Sequence, residues 1–173
     1  MNTVIDTIIN RRSIRKFKDT QITQEHLQIM LKAMEAAPSA GNIQPWSFYV
    51  IKNKDVKKQL CEISFNQTAL IEAPVVIAIC AKPKESAATY QQLGQDFFCI
   101  QDTACVAQNL QLAAHSLGYG CVWIGIVKQD DIRQTIKATQ SEQPVALIAI
   151  GIANETPAAY DRIEWQKLTT FID

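Results

Sequence analysis

A short basic segment near the amino terminus has the residue types of an anion-binding site. Three of the chain's five arginines, Arg11, Arg12 and Arg15, lie within five consecutive residues, and two lysines follow before the next acid, Asp19. Arginine presents a planar fork of N–H donors that fits phosphate and carboxylate groups, and Ser13 adds a hydroxyl donor. Alternate residues of an extended segment face the same side, so we expect Ser13 and Arg15 to point together. By itself the segment is either a solvated charge run or a clamp for a phosphorylated ligand.

A second polar segment, residues 38–46, reads Pro-Ser-Ala-Gly-Asn-Ile-Gln-Pro-Trp and is dense in small and turn-forming residues. The side chains of Ser39, Asn42 and Gln44 both donate and accept hydrogen bonds, which suits the edge of a flat heterocycle. Gly41 permits a close approach of the backbone. Taken alone, the segment is either an ordinary polar loop or a ligand-binding loop.

The five cysteines do not form the pattern of a metal site. Their number is odd, no two have the spacing of a Cys-x-x-Cys pair, and the two histidines, His26 and His115, are far apart in the sequence. We therefore predict no metal site and expect the cysteines to be small, buried, apolar groups in a reducing compartment. A cysteine nucleophile would require a base; His115 lies in an apolar helical stretch, which makes this the weaker alternative.

The composition is that of a single globular domain, which we assign to residues 1–173. Of the 173 residues 47% are hydrophobic, and 17 basic side chains balance 17 acidic ones. A neutral chain with a pI of about 6.7 does not fit a surface built to hold nucleic acid. The sequence contains neither a secretory signal nor an uncharged apolar run of about 18 residues, so we expect a cytoplasmic protein without membrane or nucleic-acid partners.

The hydrophobic pattern predicts an α+β fold in which a mixed sheet is flanked by helices. Helices are predicted at 2–10, 24–37, 55–65, 92–117 and 130–138, strands at 46–51, 75–80, 121–127 and 145–150, and strand-like pieces in the tail 151–173. No strand is followed by a glycine-rich turn of the dinucleotide-binding type. The helix 92–117 is apolar almost all round, which predicts a place in the core or in a subunit interface.

Two further segments complete a set of four motifs. The helix from Asp102 to Leu117 leads into Gly118-Tyr119-Gly120-Cys121-Val122-Trp123-Ile124-Gly125, and an apolar strand runs from Val145 to Gly151, with Arg162 beyond it. Together with Arg11-Arg12-Ser13-Ile14-Arg15-Lys16-Phe17 and the loop 38–46, these segments resemble the FMN-dependent nitroreductase family over residues 3–165. The chain resembles a short, single-domain member, because residues 83–95 leave little room for the extra helices that form a substrate lid in longer members.

The resemblance implies where FMN would be held. Arg11, Ser13 and Arg15 would hold its phosphate and pyrimidine edge, with Arg12 beside them, and Arg162 would complete the phosphate site.

Two more groups of site residues follow from the resemblance. Gln67, with Asn66 as the alternative, would reach the ribityl chain or the ring, and the backbone of Ile124 and Gly125 would face the isoalloxazine, with Gly125 near the nitrogen that accepts hydride. The family's flavin lies at a dimer interface, so the other subunit would contribute Pro38, Ser39, Ala40 and Asn42.

The activity implied by the resemblance is hydride transfer from NAD(P)H through bound FMN to a nitroaromatic, a quinone or a related small acceptor, in ping-pong order. No side-chain acid or base is assigned, because the flavin performs the redox chemistry. The resemblance and the apolar helix together imply a homodimer whose C-terminal tail embraces the partner. The alternative is a module that stores or senses FMN with little turnover.

Overall fold

The computed structural model describes residues 3–172. Asn2, the first residue of the predicted helix 2–10, and both ends of the domain assigned to 1–173 therefore lie outside the described residues. The described helices are α1 (Thr3–Asn10), α2 (Gln24–Glu35), α3 (Lys54–Ile63), α4 (Ala69–Glu72), α5 (Pro83–Leu93), α6 (Cys99–Ser116) and α7 (Gln129–Thr135). The strands are β1 (Trp46–Ile51), β2 (Val75–Ala81), β3 (Gly120–Gly125) and β4 (Gln143–Gly151).

The four strands form one sheet in the order β1-β2-β4-β3, and each neighbouring pair is antiparallel. Every residue of β2 is buried, because helices cover both faces of the sheet. The core on one face includes side chains of α2 and α6, and the core on the other includes side chains of α3, α4 and α7. The predicted α+β class is confirmed. Within residues 3–172, parallel pairing is limited to a single bridge between Ser13 and Cys121.

The predicted helix 92–117 is divided in the structure. Its first part belongs to α5 and to a π-helical turn at Gly94–Phe98, and α6 begins only at Cys99. The division follows from the backbone of Gln91, whose φ of 49° and ψ of −136° break the helix. Gly94 packs against the carbonyl of Ser86, so α5 folds back closely on the turn. Residues 83–95 thus contain a single described helix, α5, and the start of the π-helical turn.

Two other expectations are corrected. The tail beyond β4 contains a 3₁₀ helix at Trp165–Leu168, and its one described strand-like contact is a bridge from Ala153 to Phe17. Four cysteines are buried as predicted, but Cys105 is exposed on α6. A helix buries only one stripe against the sheet, and Cys105 lies outside the stripe of α6 that contains Val106 and Leu110.

The basic segment after α1 is hydrogen-bonded to the start of β3 and to the residues that follow β4. The amide of Ile14 donates to the carbonyl of Cys121 at 2.9 Å, and the amide of Lys18 donates to the carbonyl of Ile152 at 2.9 Å. Ile14 and Phe17 are buried, and Ile14 packs directly on Gly120, where an added Cβ would lie 2.6 Å from it. The alternation of apolar and polar residues therefore anchors the segment, and its polar side chains lie beside β3.

Candidate functional site

A cavity of about 270 Å³ lies at the carboxyl end of β3. It brings together four predicted site residues from three distant parts of the sequence: Arg15, Gln67, Ile124 and Gly125. Its other lining residues are Ser64, Phe65, Val122, Trp123 and Val127. The sequence analysis did not identify these five as site residues; Phe65 is a large aromatic residue that is 69% exposed.

Larger cavities lie elsewhere and contain none of the predicted site residues. One of about 510 Å³ is lined by polar groups that include Lys84, Arg133 and Glu142. Another of about 810 Å³ is an apolar groove between α2 and β1. Size therefore does not identify the site; the convergence of chemically distinct groups does.

Arg15 is positioned through its backbone. The amides of Arg15 and Lys16 donate to the carboxylate of Glu155, and the ammonium of Lys16 pairs with Glu72 at 2.9 Å. The amide of Phe17 donates to the other oxygen of Glu72 at 3.3 Å. Because these acids occupy the backbone and the neighbouring lysine, the guanidinium of Arg15 is available to line the cavity.

Arg11 and Arg12 differ in what their side chains contact. The guanidinium of Arg12 donates to the carbonyls of Ile9 at 2.7 Å and Arg11 at 2.9 Å, so it caps the C-terminal end of α1. The guanidinium of Arg11 lies beside the thiol of Cys121, and its Nη1 is buried with no hydrogen-bond partner among the described residues. A buried guanidinium nitrogen without an acceptor fits a phosphate oxygen, so this arginine suits FMN.

Burial disfavours the ionised forms of the buried thiols and of His115. Burial raises the pKa of Cys121 to about 11, although the neighbouring Arg11 acts in the opposite direction. Burial raises the pKa of Cys80 to about 12. Burial, then the charges of Arg11 and Arg12, lower the pKa of His115. A thiol that stays protonated is a poor nucleophile, so the buried Cys80 and Cys121 are not candidate nucleophiles.

The turn between α3 and α4 places Gln67 on the cavity. Phe65 and Asn66 have φ values of 53° and 58°, so two successive residues adopt the left-handed conformation, which is costly for side chains larger than glycine. The amide of Asn66 donates to the carbonyl of Cys61 at 2.9 Å. The buried ammonium of Lys57 donates to the carbonyl of Ala73 at 2.5 Å and ties α3 to the end of α4. Of the two alternatives, Gln67 lines the cavity and Asn66 does not.

At the end of β3, the space beside the backbone of Gly125 is empty of other side chains among the described residues. A Cβ built on Gly125 would meet no atom within 4 Å, and Trp123 and Val127 nearby are partly exposed. A flat ring can therefore approach the strand backbone here without displacing a side chain.

The loop from Pro38 to Asn42 does not line this cavity in its own chain. Gly41, Asn42 and Gln44 have φ values of 57°, 55° and 55°, so the loop is unusually rich in left-handed residues. It is held by the amide of Ala40, which donates to Oδ1 of Asp102 on α6 at 3.0 Å.

Of the other predicted site residues, Arg11, Arg12 and Ser13 do not line this cavity. Arg162 is exposed in the tail and does not line the cavity. Asp102 was not predicted as a site residue; the signal available in the sequence was an acid on an almost wholly apolar helix. Burial raises the pKa of Asp102, and its hydrogen bond from Ala40 acts in the opposite direction.

Among the described residues, no helix is both long and apolar enough to cross a membrane.

Comparison with known proteins identifies the family to which this chain is similar. The sequence profile of the nitroreductase family matches residues 8–69 and 64–152. A protein of Archaeoglobus fulgidus with the provisional name NADH dehydrogenase/NAD(P)H nitroreductase is 31% identical over 165 residues, which cover 93% of this chain and 91% of that protein. The FMN reductase (NADPH) of Bacillus subtilis is 26% identical over 87% of this chain and 66% of that protein.

The fold agrees with the same assignment. The crystal structure of nitroreductase A from Vibrio parahaemolyticus superposes with a TM-score of 0.90 and 25% identity, covering 99% of this chain and 75% of that one. From the profile match and the Archaeoglobus relative together, we conclude that this chain belongs to the nitroreductase family.

Proposed function

We propose that the protein is an FMN-dependent NAD(P)H oxidoreductase that reduces a nitroaromatic, a quinone or a related small acceptor. The observation that carries the proposal is the cavity at the end of β3, which Arg15, Gln67 and Gly125 line together and where the backbone of Gly125 is open. A cation, an amide and a bare strand backbone suit the anionic, polar and flat parts of one FMN molecule. The names of the FMN reductase and NAD(P)H nitroreductase relatives support the same cofactors.

Different residues would bind different parts of the cofactor. Arg11, Ser13 and Arg15 would hold the phosphate and the pyrimidine edge. The buried Nη1 of Arg11, which has no hydrogen-bond partner within residues 3–172, supports its part in this. Gln67 would reach the ribityl chain or the ring, and the backbone of Ile124 and Gly125 would lie against the isoalloxazine. We extend the phosphate site to Arg162 by family resemblance, and we assign Arg12 a supporting role because its side chain caps α1.

Bound FMN would supply the redox chemistry, accepting hydride from NAD(P)H and passing it to the acceptor in ping-pong order. The protein contributes position and charge: the guanidinium groups of Arg11 and Arg15 would stabilise negative charge on the cofactor. The open backbone at Gly125 supports a single exposed face on which NAD(P)H and the acceptor bind in turn.

We further propose that the active species is a homodimer with FMN at its interface. The loop from Pro38 to Asn42 lies away from the cavity of its own chain, so it would serve the cavity of the other subunit. The C-terminal tail would embrace that subunit, because Phe171 and Ile172 are 76% and 95% exposed in the single chain.

The test is a visible absorption spectrum of the purified protein followed by steady-state NAD(P)H oxidation. We expect a bound-flavin spectrum and turnover with menadione or a nitrofuran. Bleaching of the flavin by NAD(P)H without turnover on any acceptor would instead favour the storage or sensing module. A preparation that stays colourless after soaking in excess FMN would contradict both functions.

A further inference from the structure

The carboxylate of Asp102 occupies an unusual position on α6. The residue is only 6% exposed, and Oδ1 accepts the amide hydrogen of Ala40 at 3.0 Å. Oδ2 is buried and has no hydrogen-bond partner within residues 3–172. A half-satisfied buried carboxylate is costly, so its one bond demands an explanation beyond the packing of the helix.

That bond connects α6 to the loop 39–44. The other hydrogen bonds described below join residues of this loop to one another. Ser39 accepts the amide of Gln44 at 3.0 Å through its hydroxyl, and the amide of Asn42 donates to the carbonyl of Ser39 at 3.0 Å. The side chain of Gln44 donates to Asn42. Among residues 3–172, the bond from Ala40 to Asp102 is the one hydrogen bond that joins residues 39–44 to a helix.

The loop also needs an external anchor because its backbone is strained. Asn42 and Gln44 hold left-handed φ values that cost free energy outside glycine, and such a conformation persists only when its surroundings determine it. The second external contact is steric: Tyr90 of α5 packs on Gly41, where an added Cβ would lie 2.7 Å from the phenolic oxygen. Asp102 supplies the directional contact and Tyr90 the packing contact.

We propose that Asp102 is a positioning residue that holds the loop 39–44 in the shape needed to bind FMN in the other subunit of the dimer. The inference rests on the proposed function, since it takes the loop as one wall of the partner's flavin site. Asp102 itself does not touch the cofactor; it acts through the backbone of Ala40. Its effect should therefore be transmitted in trans, from the chain that carries it to the cavity of the other chain.

The first experiment compares FMN affinity in Asp102→Ala and Asp102→Asn, measured by quenching of free-FMN fluorescence in the apo dimer. Asp102→Ala should weaken binding by roughly tenfold or more, because a charge-assisted bond to the loop is lost. Asp102→Asn should restore most of the affinity, because its amide oxygen still accepts from Ala40. Equal affinity of wild type and Asp102→Ala would overturn the inference, and so would failure of the asparagine to restore binding.

A second readout does not depend on the cofactor. Hydrogen exchange of the apo protein should become faster at the amides of residues 39–44 in Asp102→Ala and stay slow in Asp102→Asn. If Asp102→Ala fails to fold, Ala40→Pro deletes the same bond from the loop side. Ser39 has φ −142° and ψ 154°, which suits a residue before proline. Unchanged exchange in whichever variant folds would contradict the anchoring role.

Mixed dimers test the action in trans. Co-expression of Asp102→Ala and Arg15→Ala chains with different affinity tags gives a heterodimer in which one site has both lesions and the other has neither. We expect one FMN per heterodimer with wild-type affinity, whereas each mutant homodimer binds weakly. Two weakened sites, with none of wild-type affinity, would show that Asp102 acts on its own chain and would overturn the inference. Absence of FMN binding by wild type would instead mark failure of the proposed function.

Discussion

Single glycines decide how closely a ligand can approach the backbone at the end of β3. Gly125 has open space where a side chain would be, whereas Gly118, seven residues earlier, needs its φ of 83° to turn the chain out of α6. Gly125 is therefore expected to matter for ligand binding and Gly118 for folding. Alanine at Gly125 should weaken binding without lowering stability, and alanine at Gly118 should lower stability without weakening binding.

Gly125→Ala should leave the free energy of unfolding within about 0.5 kcal/mol of wild type, because the added methyl meets no protein atom within 4 Å. The same methyl would stand between the strand and the flavin ring, so FMN affinity should fall by roughly tenfold. Urea unfolding and FMN titration measure the two effects. Gly118→Ala is the matched control: we expect a loss of about 1 kcal/mol in stability with FMN affinity unchanged. An FMN affinity of Gly125→Ala equal to wild type would contradict the placement of the ring.

Glu142 is a buried acid whose carboxylate accepts several hydrogen bonds. Burial alone would raise its pKa, but hydrogen bonds from Ser47, Tyr49 and Thr139 outweigh burial and lower the pKa to about 2. A carboxyl with a lowered pKa in the folded state stabilises the protein above its ordinary pKa, and this contribution is lost as the pH falls through about 2.

Glu142→Gln should therefore lower stability at pH 7 by roughly 1–3 kcal/mol, because an amide cannot accept all of these bonds and adds donors of its own. The loss of stability on acidification from pH 5 to about pH 2 should also become smaller. Thermal unfolding over that range measures both effects. Glu62→Gln, at an exposed position of α3, serves as the control. A pH dependence identical to wild type would show that the Glu142 carboxylate is not the group responsible.

At the scale of elements, the site depends on how the basic segment is seated against β3. Ile14 fills the space above Gly120, and the bridge from Ser13 to Cys121 sets the register that carries Arg15 to the cavity. Packing thus requires a glycine at the first residue of β3. The contact between the basic segment and β3 determines where the side chain of Arg15 lies.

Gly120→Ala should push the basic segment away from the sheet, since the new Cβ would lie 2.6 Å from Ile14. We expect a loss of about 1–3 kcal/mol in stability together with weaker FMN binding. Adding Ile14→Ala should relieve the clash, so the double variant should be more stable than the sum of the two single losses predicts. A double-mutant cycle from urea unfolding measures this coupling. Strict additivity would show that the two residues do not compete for the same space.

At the scale of the whole molecule, the single chain leaves much apolar surface exposed. The side chains of α1, among them Ile5 and Ile8, are exposed, and so are those of the tail, including Trp165 and Phe171. Exposed apolar faces of this extent are typical of a surface that another copy covers.

We predict a homodimer with about twice the subunit mass of 19.3 kDa. Sedimentation equilibrium should give that mass at micromolar concentration, and removal of residues 165–173 should weaken association, because it deletes the exposed apolar part of the tail. The control is the chain of residues 1–173 with a polar tag added after Asp173. A stable, folded monomer would contradict the dimer and, with it, the two-subunit cofactor site.

Much of the fold was predictable because hydrophobic periodicity reports local structure. The strand 46–51 was predicted with its observed ends, and the predicted helix 24–37 begins at Gln24, as α2 does. The division between α5 and α6 was not predictable, because it depends on the left-handed backbone of Gln91 and the contact of Gly94 with Ser86. Left-handed backbone at a residue other than glycine has no reliable signature in a single sequence.

The residue types of the site were determined by the sequence alone: the cations after α1, the amide at Gln67 and the glycine that ends β3. Only the tertiary structure decided which of them meet. It brought Arg15, Gln67 and Gly125 to one cavity, turned Arg12 back onto α1, and placed Asp102 under the loop from Pro38. The physical reason is that residue chemistry and local periodicity are written along the chain, whereas contacts between distant segments arise only when the sheet and its helices pack.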